Sequence, residues 1–401
     1  MSRVRLDWVT TVSRQSVDVA RLNTDEVFHY SIPVIEATGD GAVESVEHID
    51  SSKLLLEGGE VLISKLNPRK ARVLIAQPHD IPTVCSGEFI PLIPLPAIDR
   101  RYLWWRLLSN DVTQELGSQV RSVTRSHQRI DPIVLTKLWF DLPALEKQKQ
   151  IVSFLDSKCA YIDELMREQM DQRSLLEEHF RAALVSRFIR EDRSKISSMT
   201  RLKYLFEFDR GGIWGDEPTG DDDDVTCIRV ADFDRFTFRA GKNSETRRSI
   251  PKNQAEPRLL RAGDVLLEKS GGTQDKPVGC AVTYEGEGRA VCSNFVAQLR
   301  PRAEHNGRFI GLLMAAHYQA KLNSPYVKQT TGIQNLDSSG YLGEYAHVPG
   351  RAEQDAIVVE VERELDLAMR AAAELERSVA LLNERRSAII TAAVTGQMEV
   401  A

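Results

Sequence analysis

Two long segments of the chain carry apolar residues at helical spacing. Residues 146–190 and 352–395 contain neither proline nor glycine, and they follow Pro143 and Pro349, a position typical of a helix start. In the second segment the steps between apolar residues alternate between four and three, a heptad pattern that Arg386 interrupts. Its apolar positions are Val361, Leu365, Ala368, Ala372, Leu375, Val379, Leu382 and Ile389. The first segment has a less regular stripe of Ile151, Leu155, Ile162, Leu165, Met170, Leu176, Phe180, Leu184 and Phe188.

Each of these segments predicts a helix roughly 65 Å long, at about 1.5 Å per residue. A helix of this kind does not bury its apolar stripe by itself. We therefore expect the two helices to pack on each other in antiparallel orientation. The alternative is a coiled coil that dimerises two copies of the chain.

The remaining sequence, residues 1–144 and 197–350, is mixed. Short β-like runs alternate with glycine, proline and aspartate turns; examples are Val61–Ser64, Val73–Ala76, Val265–Leu267 and Val278–Thr283. Helical patterns occur at Tyr102–Leu116 and Phe309–Leu322. Each region predicts a compact α+β domain with an irregular sheet.

The chain also repeats itself. LLEGGEVLISK (55–65) returns as LLRAGDVLLEK (259–269), VCSGEFIPL from Val84 returns as VCSNFVAQL from Val291, and LPALEKQKQIV from Leu142 returns as VPGRAEQDAIV from Val348. The order is kept, and each shift is close to half of the 401 residues. Three segments in register indicate an internal duplication.

Composition favours a cytosolic protein. The net charge is −6, and no stretch approaches the roughly 20 apolar residues that a membrane helix needs. The first residues lack the apolar core of a signal peptide. The five cysteines are an odd number without CxxC spacing, so we expect free thiols, mostly buried, and neither a zinc site nor a disulfide framework.

The motifs of catalysis are missing. Dinucleotide-binding, Walker, zinc-protease and serine-hydrolase signatures do not occur. Asp264 and Glu268 with Lys269 resemble a nuclease metal site, but the first copy has Glu60 and Ser64–Lys65 in their places. The acidic run Asp221–Asp224 is interpreted as a solvated loop. We therefore predict no catalytic residue and no metal site.

Basic windows with few acids suggest contact with nucleic acid, since Arg, Lys, Gln and Asn pair with base edges, and Lys, Arg and Thr grip phosphates. The candidate DNA-binding residues are Lys65, Arg69, Lys70, Arg72, Arg121, Arg125, His127, Arg129, Lys269, Lys328, Thr331, Gln334 and Asn335. The windows 116–130 and 317–336 occupy matched positions in the two copies, which favours a DNA face there. The windows 61–79 and 235–252 do not match each other, and a solvated charged surface remains the alternative.

The sequence resembles the specificity subunit of type I restriction-modification systems. The resemblance is carried by LPALEKQKQIVSFLDSKCAYIDEL (142–165), VPGRAEQDAIV (348–358) and LLNERRSAIITAAVTGQMEV (381–400), with support from TRSHQRID (124–131) and TTGIQNLD (330–337). It covers essentially the whole chain. The exit of the first helix departs from the pattern, because it reads RAALVSRFI and lacks an AVTG-like ending.

The resemblance implies an α+β fold with two tandem α/β target-recognition domains (1–144 and 197–350). Two long antiparallel coiled-coil helices (helical spacers 145–196 and 351–401) separate them in a pseudo-two-fold repeat. It implies that each domain reads half of a split double-stranded DNA site. The implied partners are two modification subunits, which methylate adenine, and restriction subunits. No cofactor is implied for this chain; S-adenosylmethionine, ATP and Mg would belong to the partners.

Two other functions stay open. One is a coiled-coil scaffold that bridges partners without DNA readout, and salt- and sequence-dependent DNA binding would distinguish it. The other is a self-contained DNA-modifying enzyme, which binding of S-adenosylmethionine by the isolated chain would support.

Overall fold

The structure is a computed structural model, and it describes residues 2–120, 128–189, 199–330 and 332–400. The chain forms two compact units. The first unit is Met1–Gln169 together with Arg377–Ala401, and the second unit is Met170–Glu376. Each unit therefore contains one globular part and a portion of each long helix. The boundaries that we predicted for separate domains and spacers stay a prediction.

The first unit begins with a small mixed fold. Its strands are β1 (Ser2–Arg5), β2 (Thr10–Val12), β3 (Ser16–Val17), β4 (Glu26–Tyr30), β5 (Ala42–Ser45), β6 (Lys53–Leu56), β7 (Val61–Ser64), β8 (Val73–Ile75), β9 (Thr83–Cys85), β10 (Phe89–Pro94) and β11 (Trp139–Leu142). Its short helices are α1 (Leu6–Val9), α2 (Ile32–Thr38), α3 (Arg100–Leu107), α4 (Asn110–Ser118) and α5 (Pro132–Thr136), and the long helix α6 (Leu145–Phe188) follows. The sheets have the orders β1-β11, β2-β10-β7-β8 and β3-β6-β9-β4-β5.

The second unit repeats this plan with different details. Its strands are β12 (Met199–Arg201), β13 (Phe206–Gly211), β14 (Asp224–Ile228), β15 (Arg239–Ala240), β16 (Arg247–Ser249), β17 (Val265–Glu268), β18 (Ala281–Tyr284), β19 (Ala290–Cys292), β20 (Val296–Pro301), β21 (Val327–Thr330), β22 (Ile333–Leu336) and β23 (Tyr345–His347). Its helices are α7 (Lys252–Ala255), α8 (Gly307–Gln319), α9 (Ser338–Tyr341) and the long α10 (Arg351–Val394). The sheets have the orders β12-β23, β13-β20-β17-β18-β15, β16-β14-β19 and β21-β22.

Within the first unit, the start of α6 and the end of α10 close one hydrophobic core. Leu155 and Val394 are buried in the same cluster as Tyr102 of α3. Arg386, which interrupts the heptads, lies beside Asp163 with Nε 2.8 Å from a carboxylate oxygen. Its guanidinium also lies 5.7 Å from the centre of the Trp105 ring. The polar interruption is thus satisfied by an ion pair and an aromatic face.

Within the second unit, the end of α6 packs against the start of α10. Phe180, Leu184, Val361 and Leu365 belong to one buried cluster with the sheet of that unit. Arg187 reaches Glu360 and Glu364, and Arg173 reaches Glu376 at 3.0 Å. Residue numbers rise along α6 as they fall along α10. The predicted antiparallel pairing of the helices is confirmed.

The duplication is also visible in a buried glutamine that each unit has near the start of its long helix. Gln148 of α6 accepts the backbone N–H of Asp99 at 2.7 Å and donates to the carbonyl of Pro143 at 2.8 Å. Gln354 of α10 accepts the N–H of Asn306 at 2.9 Å and donates to the carbonyl of Pro349 at 2.8 Å. Asp99 and Asn306 in turn cap α3 and α8. The same side chain therefore holds the same helix start in both units.

Three details of the predicted helices need correction. The helix predicted for Tyr102–Leu116 is two helices: α3 ends at Leu107, and α4 begins at Asn110 after Ser109, whose hydroxyl is bound to Arg106. Met170 is 60% exposed and lies off the apolar stripe of α6. Beyond Arg386 the buried positions of α10 are Ile390, Ala393 and Val394, whereas Ile389 is only half-buried.

The cysteines agree with the sequence prediction: all are free and buried. Burial raises the pKa of Cys85 to about 12.

Within the described ranges, every helix is too short or too polar to cross a bilayer. Among the same residues, no three His, Cys, Asp or Glu side chains lie close enough to hold a metal ion.

Candidate nucleic-acid interface

In the first unit, the loop after β7 is tied to the segment before α5. The backbone N–H of Lys65 donates to the carbonyl of Glu88 at 2.7 Å, and the carbonyl of Lys65 accepts the N–H of Ile130 at 3.1 Å. Asn67 has a left-handed φ of 51° and donates its N–H to the carbonyl of Gln128 at 2.7 Å. The basic window 61–79 thus meets residues 128–130, the described end of the window 116–130, at one edge.

We call the loop of residues 65–72 together with residues 128–130 the first frame. The second unit has an equivalent second frame, formed by residues 269–271 and 334–336. The N–H of Lys269 donates to the carbonyl of Phe295, and its carbonyl accepts the N–H of Leu336, both at 2.8 Å. Gly271, with φ of 113°, takes the place of Asn67 and donates to the carbonyl of Gln334 at 3.0 Å. Lys65 and Lys269 therefore occupy equivalent backbone positions.

The basic side chains of the first frame are not equally available. Arg72 is 9% exposed, pairs with Glu36 and donates to the carbonyl of Leu66, so it holds the loop together. Lys70 lies 3.5 Å from the same Glu36 and is 67% exposed. Hydrogen bonding to Arg72 holds the pKa of Glu36 below its usual range. Lys70 is thus available to a ligand in a way that Arg72 is not.

Arg69 and Arg129 flank this loop. Arg69 is exposed, and its Cγ would lie 2.8 Å from a Cβ built on Gly117, so the glycine gives the side chain its path. Arg129 is 55% exposed and forms a two-pronged ion pair with Glu88, with both nitrogen–oxygen distances 3.0 Å. A phosphate or a base edge would have to displace that carboxylate.

The candidates of the second unit differ in burial. Gln334 is 7% exposed, and its side-chain oxygen Oε1 accepts the N–H of Val278 at 3.3 Å. Asn335 is exposed and accepts the Ser270 hydroxyl at 2.6 Å. Lys328 is 70% exposed and pairs with Asp337 at 2.9 Å. Asn335 and Lys328 lie on β22 and β21, so the short hairpin displays both.

Four sequence candidates lie outside the described residues: Arg121, Arg125, His127 and Thr331. The structure does bring their neighbours to the two frames, since residues 128–130 and 334–336 form the matched second side of each one. The DNA contacts of the whole candidate set remain a prediction.

The basic window 235–252 has a mainly structural role. Arg235 pairs with the buried Glu268 at 2.8 Å, and Arg239 pairs with Glu285 at 2.8 Å. Arg248 pairs with Glu217 at 2.5 Å and lies over the Trp214 ring. These acids come from distant parts of the sequence, which is why the window looked acid-poor.

The acids that resembled a nuclease site are tied up in packing. Asp264 is 2% exposed and accepts bonds from Arg300, Gln298 and the N–H of Arg261. Burial raises the pKa of Glu268, against the opposing effect of Arg235. In the first copy, Glu60 accepts the N–H groups of its preceding turn instead.

One element of the interface has no clear signal in the sequence. A Cβ placed on Gly211 would lie 3.3 Å from Nζ of Lys269, so this glycine at the end of β13 leaves room for the ammonium. β20 pairs with both β13 and β17, which brings Gly211 close to Lys269. The contact depends on sheet order, which a single sequence does not reveal.

The architecture defines a class: a duplicated α+β fold in which two long antiparallel helices join the copies. The chain shares this fold with a protein from the solved structure described as the "structural basis underlying complex assembly and conformational transition of the type I R-M system". The TM-score is 0.68 at 18% identity, over 99% of this chain and 98% of that one.

Two further solved structures align over nearly their full lengths. They are the HsdS subunit from Thermoanaerobacter tengcongensis (TM-score 0.46, 18% identity, 99% of this chain and 97% of that chain) and the type I restriction-modification S subunit from M. genitalium (TM-score 0.37, 12% identity, 99% and 96%). Their TM-scores are too low to support the fold assignment. No family model and no curated protein matches the sequence.

Proposed function

We propose that this chain is the DNA specificity subunit of a type I restriction-modification complex. The observation that carries the proposal is the match in fold, over almost the full length of both chains, to a protein of such a system. Each globular part would read one half of a split double-stranded DNA site. The chain would act in the cytoplasm and would itself catalyse no reaction.

The two equivalent frames support DNA reading. Lys65 and Lys269 occupy matched positions, while the side chains beside them differ: Arg129 stands where the second unit has Asn335. Arginine pairs best with guanine and asparagine with adenine. A common scaffold with different reading residues is what two unlike half-sites require.

Exposed apolar side chains on the long helices support docking of two identical partners. Tyr161 and Leu367 are 64% and 60% exposed and lie 206 residues apart. Leu175 and Leu381 are 63% and 59% exposed and lie the same 206 residues apart. Large apolar side chains exposed at repeated positions mark an interaction surface. The partners would be two modification subunits, which would bring S-adenosylmethionine, and restriction subunits, which would bring ATP and Mg.

The test is the methylated motif of the complex. The chain, co-expressed with type I modification subunits from the same source, should direct methylation of adenine in a split motif with a fixed gap. Modification subunits without the chain should leave that motif unmethylated. A stable complex without salt- and sequence-dependent DNA binding would favour a bridging scaffold. Methyl transfer by the isolated chain would reveal an enzyme.

A further inference from the structure

Each unit exposes a pair of aromatic rings beside an arginine at the same place in its fold. In the first unit, Arg5 of β1 lies opposite Trp139 of β11, and Trp8 of α1 meets the Trp139 ring edge-on with centroids 5.1 Å apart. Trp8 and Trp139 are 55% and 45% exposed. Two neighbouring tryptophans with half of their surface in solvent are unusual in a folded domain.

The second unit has an arginine and two aromatic residues at the same backbone positions, although Arg5 lies 5.7 Å from the Trp8 ring and its counterpart Arg201 lies against Tyr345. Arg201 of β12 lies opposite Tyr345 of β23, with its guanidinium 5.1 Å from the ring centre. Tyr204, in the helical turn that follows β12, is 57% exposed, and Tyr345 is 42% exposed. We call Arg5, Trp8 and Trp139 the first aromatic patch, and Arg201, Tyr204 and Tyr345 the second aromatic patch.

The two patches are equivalent in backbone as well as in chemistry. Leu6 follows Arg5, is buried and donates its N–H to the carbonyl of Leu138 at 2.9 Å. Leu202 follows Arg201, is buried and donates to the carbonyl of Glu344, also at 2.9 Å. Trp8 and Tyr204 each follow this buried leucine by two positions. The match is therefore one of register and is not a chance similarity of exposed residues.

We propose that the two aromatic patches each dock one copy of the same protein partner, the modification subunit; this inference rests on the proposed function. Surfaces that read different half-sites have no reason to stay alike, whereas surfaces that bind two copies of one partner do. Tryptophan, tyrosine and arginine are also the residues that contribute most to protein–protein affinity.

Charge argues for a protein and against a DNA backbone at this place. Asp7 sits next to the first patch and pairs with Arg5 at 2.5 Å, while Lys203 fills the corresponding position of the second. A carboxylate repels phosphates, which makes this position unfavourable for a phosphate contact in the first copy. The aromatic rings are the feature that both patches share.

The patches also adjoin the starts of the two long helices, which carry the proposed docking positions further along. Trp139 belongs to β11, which ends at Leu142, three residues before α6 begins at Leu145. Tyr345 belongs to β23, which ends at His347, four residues before α10 begins at Arg351. A partner seated on the start of either helix would thus meet the adjoining patch.

The experiment measures how many modification subunits the full chain binds, by native mass spectrometry and titration. Wild type should bind two copies. Trp8→Ala with Trp139→Ala should bind one, as should Tyr204→Ala with Tyr345→Ala, with the affinity of the altered site at least ~30-fold weaker. The matched control is Trp214→Ala, which removes a tryptophan that is 38% exposed and stacks on Arg248 in the second unit.

A rescue variant separates recognition from folding. Trp8→Tyr with Trp139→Tyr copies the rings of the second patch and should restore two bound subunits. Two bound subunits with unchanged affinity in the alanine variants would overturn the inference and leave the proposed function intact. Weaker DNA binding with two subunits retained would instead assign the patches to nucleic acid and overturn it. A wild-type chain that binds no modification subunit would refute the proposed function itself.

Discussion

Arg308 of α8 donates from Nε to the carboxylate of Glu362 on α10 over 2.7 Å, and this contact attaches the second globular part to its long helix. The first unit repeats it as Arg101 and Asp156, also at 2.7 Å. The environments differ, because the Arg308 side chain is 10% exposed and that of Arg101 is 53% exposed. The same ion pair is thus protected from solvent in one unit and open to it in the other.

Replacing Glu362 with Gln should therefore destabilise the second unit by about 2 kcal/mol, the scale of a charge-assisted hydrogen bond. The matched variant Asp156→Asn should cost less than about 1 kcal/mol, as exposed pairs do. Urea unfolding of both variants checks the order. Equal losses would mean that burial of the pair has no influence.

The contribution of Glu362 should also depend on pH. Burial raises the pKa of Glu362, but Arg308 and Arg239 outweigh it and hold the pKa below its ordinary value of 4.5. The folded state therefore releases this proton more readily than the unfolded chain does. The difference in stability between wild type and Glu362→Gln should be full above pH 4.5 and shrink as the pH falls through the folded pKa. A difference that grows on acidification would contradict this assignment.

Lys65 and Lys269 should each contribute one phosphate contact to DNA binding. Changing either to Gln should reduce the slope of log affinity against log salt by about 0.9 for the complex with its modification subunits. The control is Arg21→Gln, which removes a charge that is 85% exposed and paired with Asp18 in the first unit. Unchanged slopes for both lysine variants would show that neither lysine contacts a DNA phosphate.

The two globular parts should read their half-sites independently. Replacing residues 197–350 with the equivalent region of a relative should change one half of the methylated motif and keep the other half. The reason is that each frame is built from backbone contacts within its own unit. Sequencing of methylated adenines gives the answer, and a change in both halves would contradict modular recognition.

Much of the fold followed from local patterns. Heptad spacing predicted α10, a less regular apolar stripe predicted α6, and three repeated segments predicted the duplication, because burial on a helix face and repeated packing both leave marks at fixed intervals. The break between α3 and α4 also had a signal, since Ser109 with Asn110 and Asp111 is a typical helix start. The apolar run across it concealed that signal.

The candidate site was harder to predict because its burial depends on distant partners. Gln334 looked like a reading residue, yet it lies in the core side of β22 beside Val278. Arg72 looked like a free cation, yet Glu36 of α2 binds it. Spacing along the chain says nothing about a partner that lies on another strand or helix. The matched positions of Lys65 and Lys269 were visible only because the chain repeats itself.

The last prediction concerns the length of the paired helices. If α6 and α10 set the gap between half-sites, a heptad inserted into each at facing positions should lengthen that gap. The ion pair of Arg173 with Glu376 defines such a position. Insertion after Arg173 and before Glu376 keeps the seam, because seven residues return the apolar stripe to nearly the same face.

The paired insertion adds about 10 Å of helix at ~1.5 Å per residue. DNA rises about 3.4 Å per base pair, so the gap should grow by up to about three base pairs. The half-site sequences should stay the same, because no residue of either frame is touched. The control is a heptad in α6 alone, which should disrupt the pairing and lower thermal stability. A methylated motif with its original gap in the paired variant would show that the helices serve as docking surfaces and do not measure the distance between half-sites.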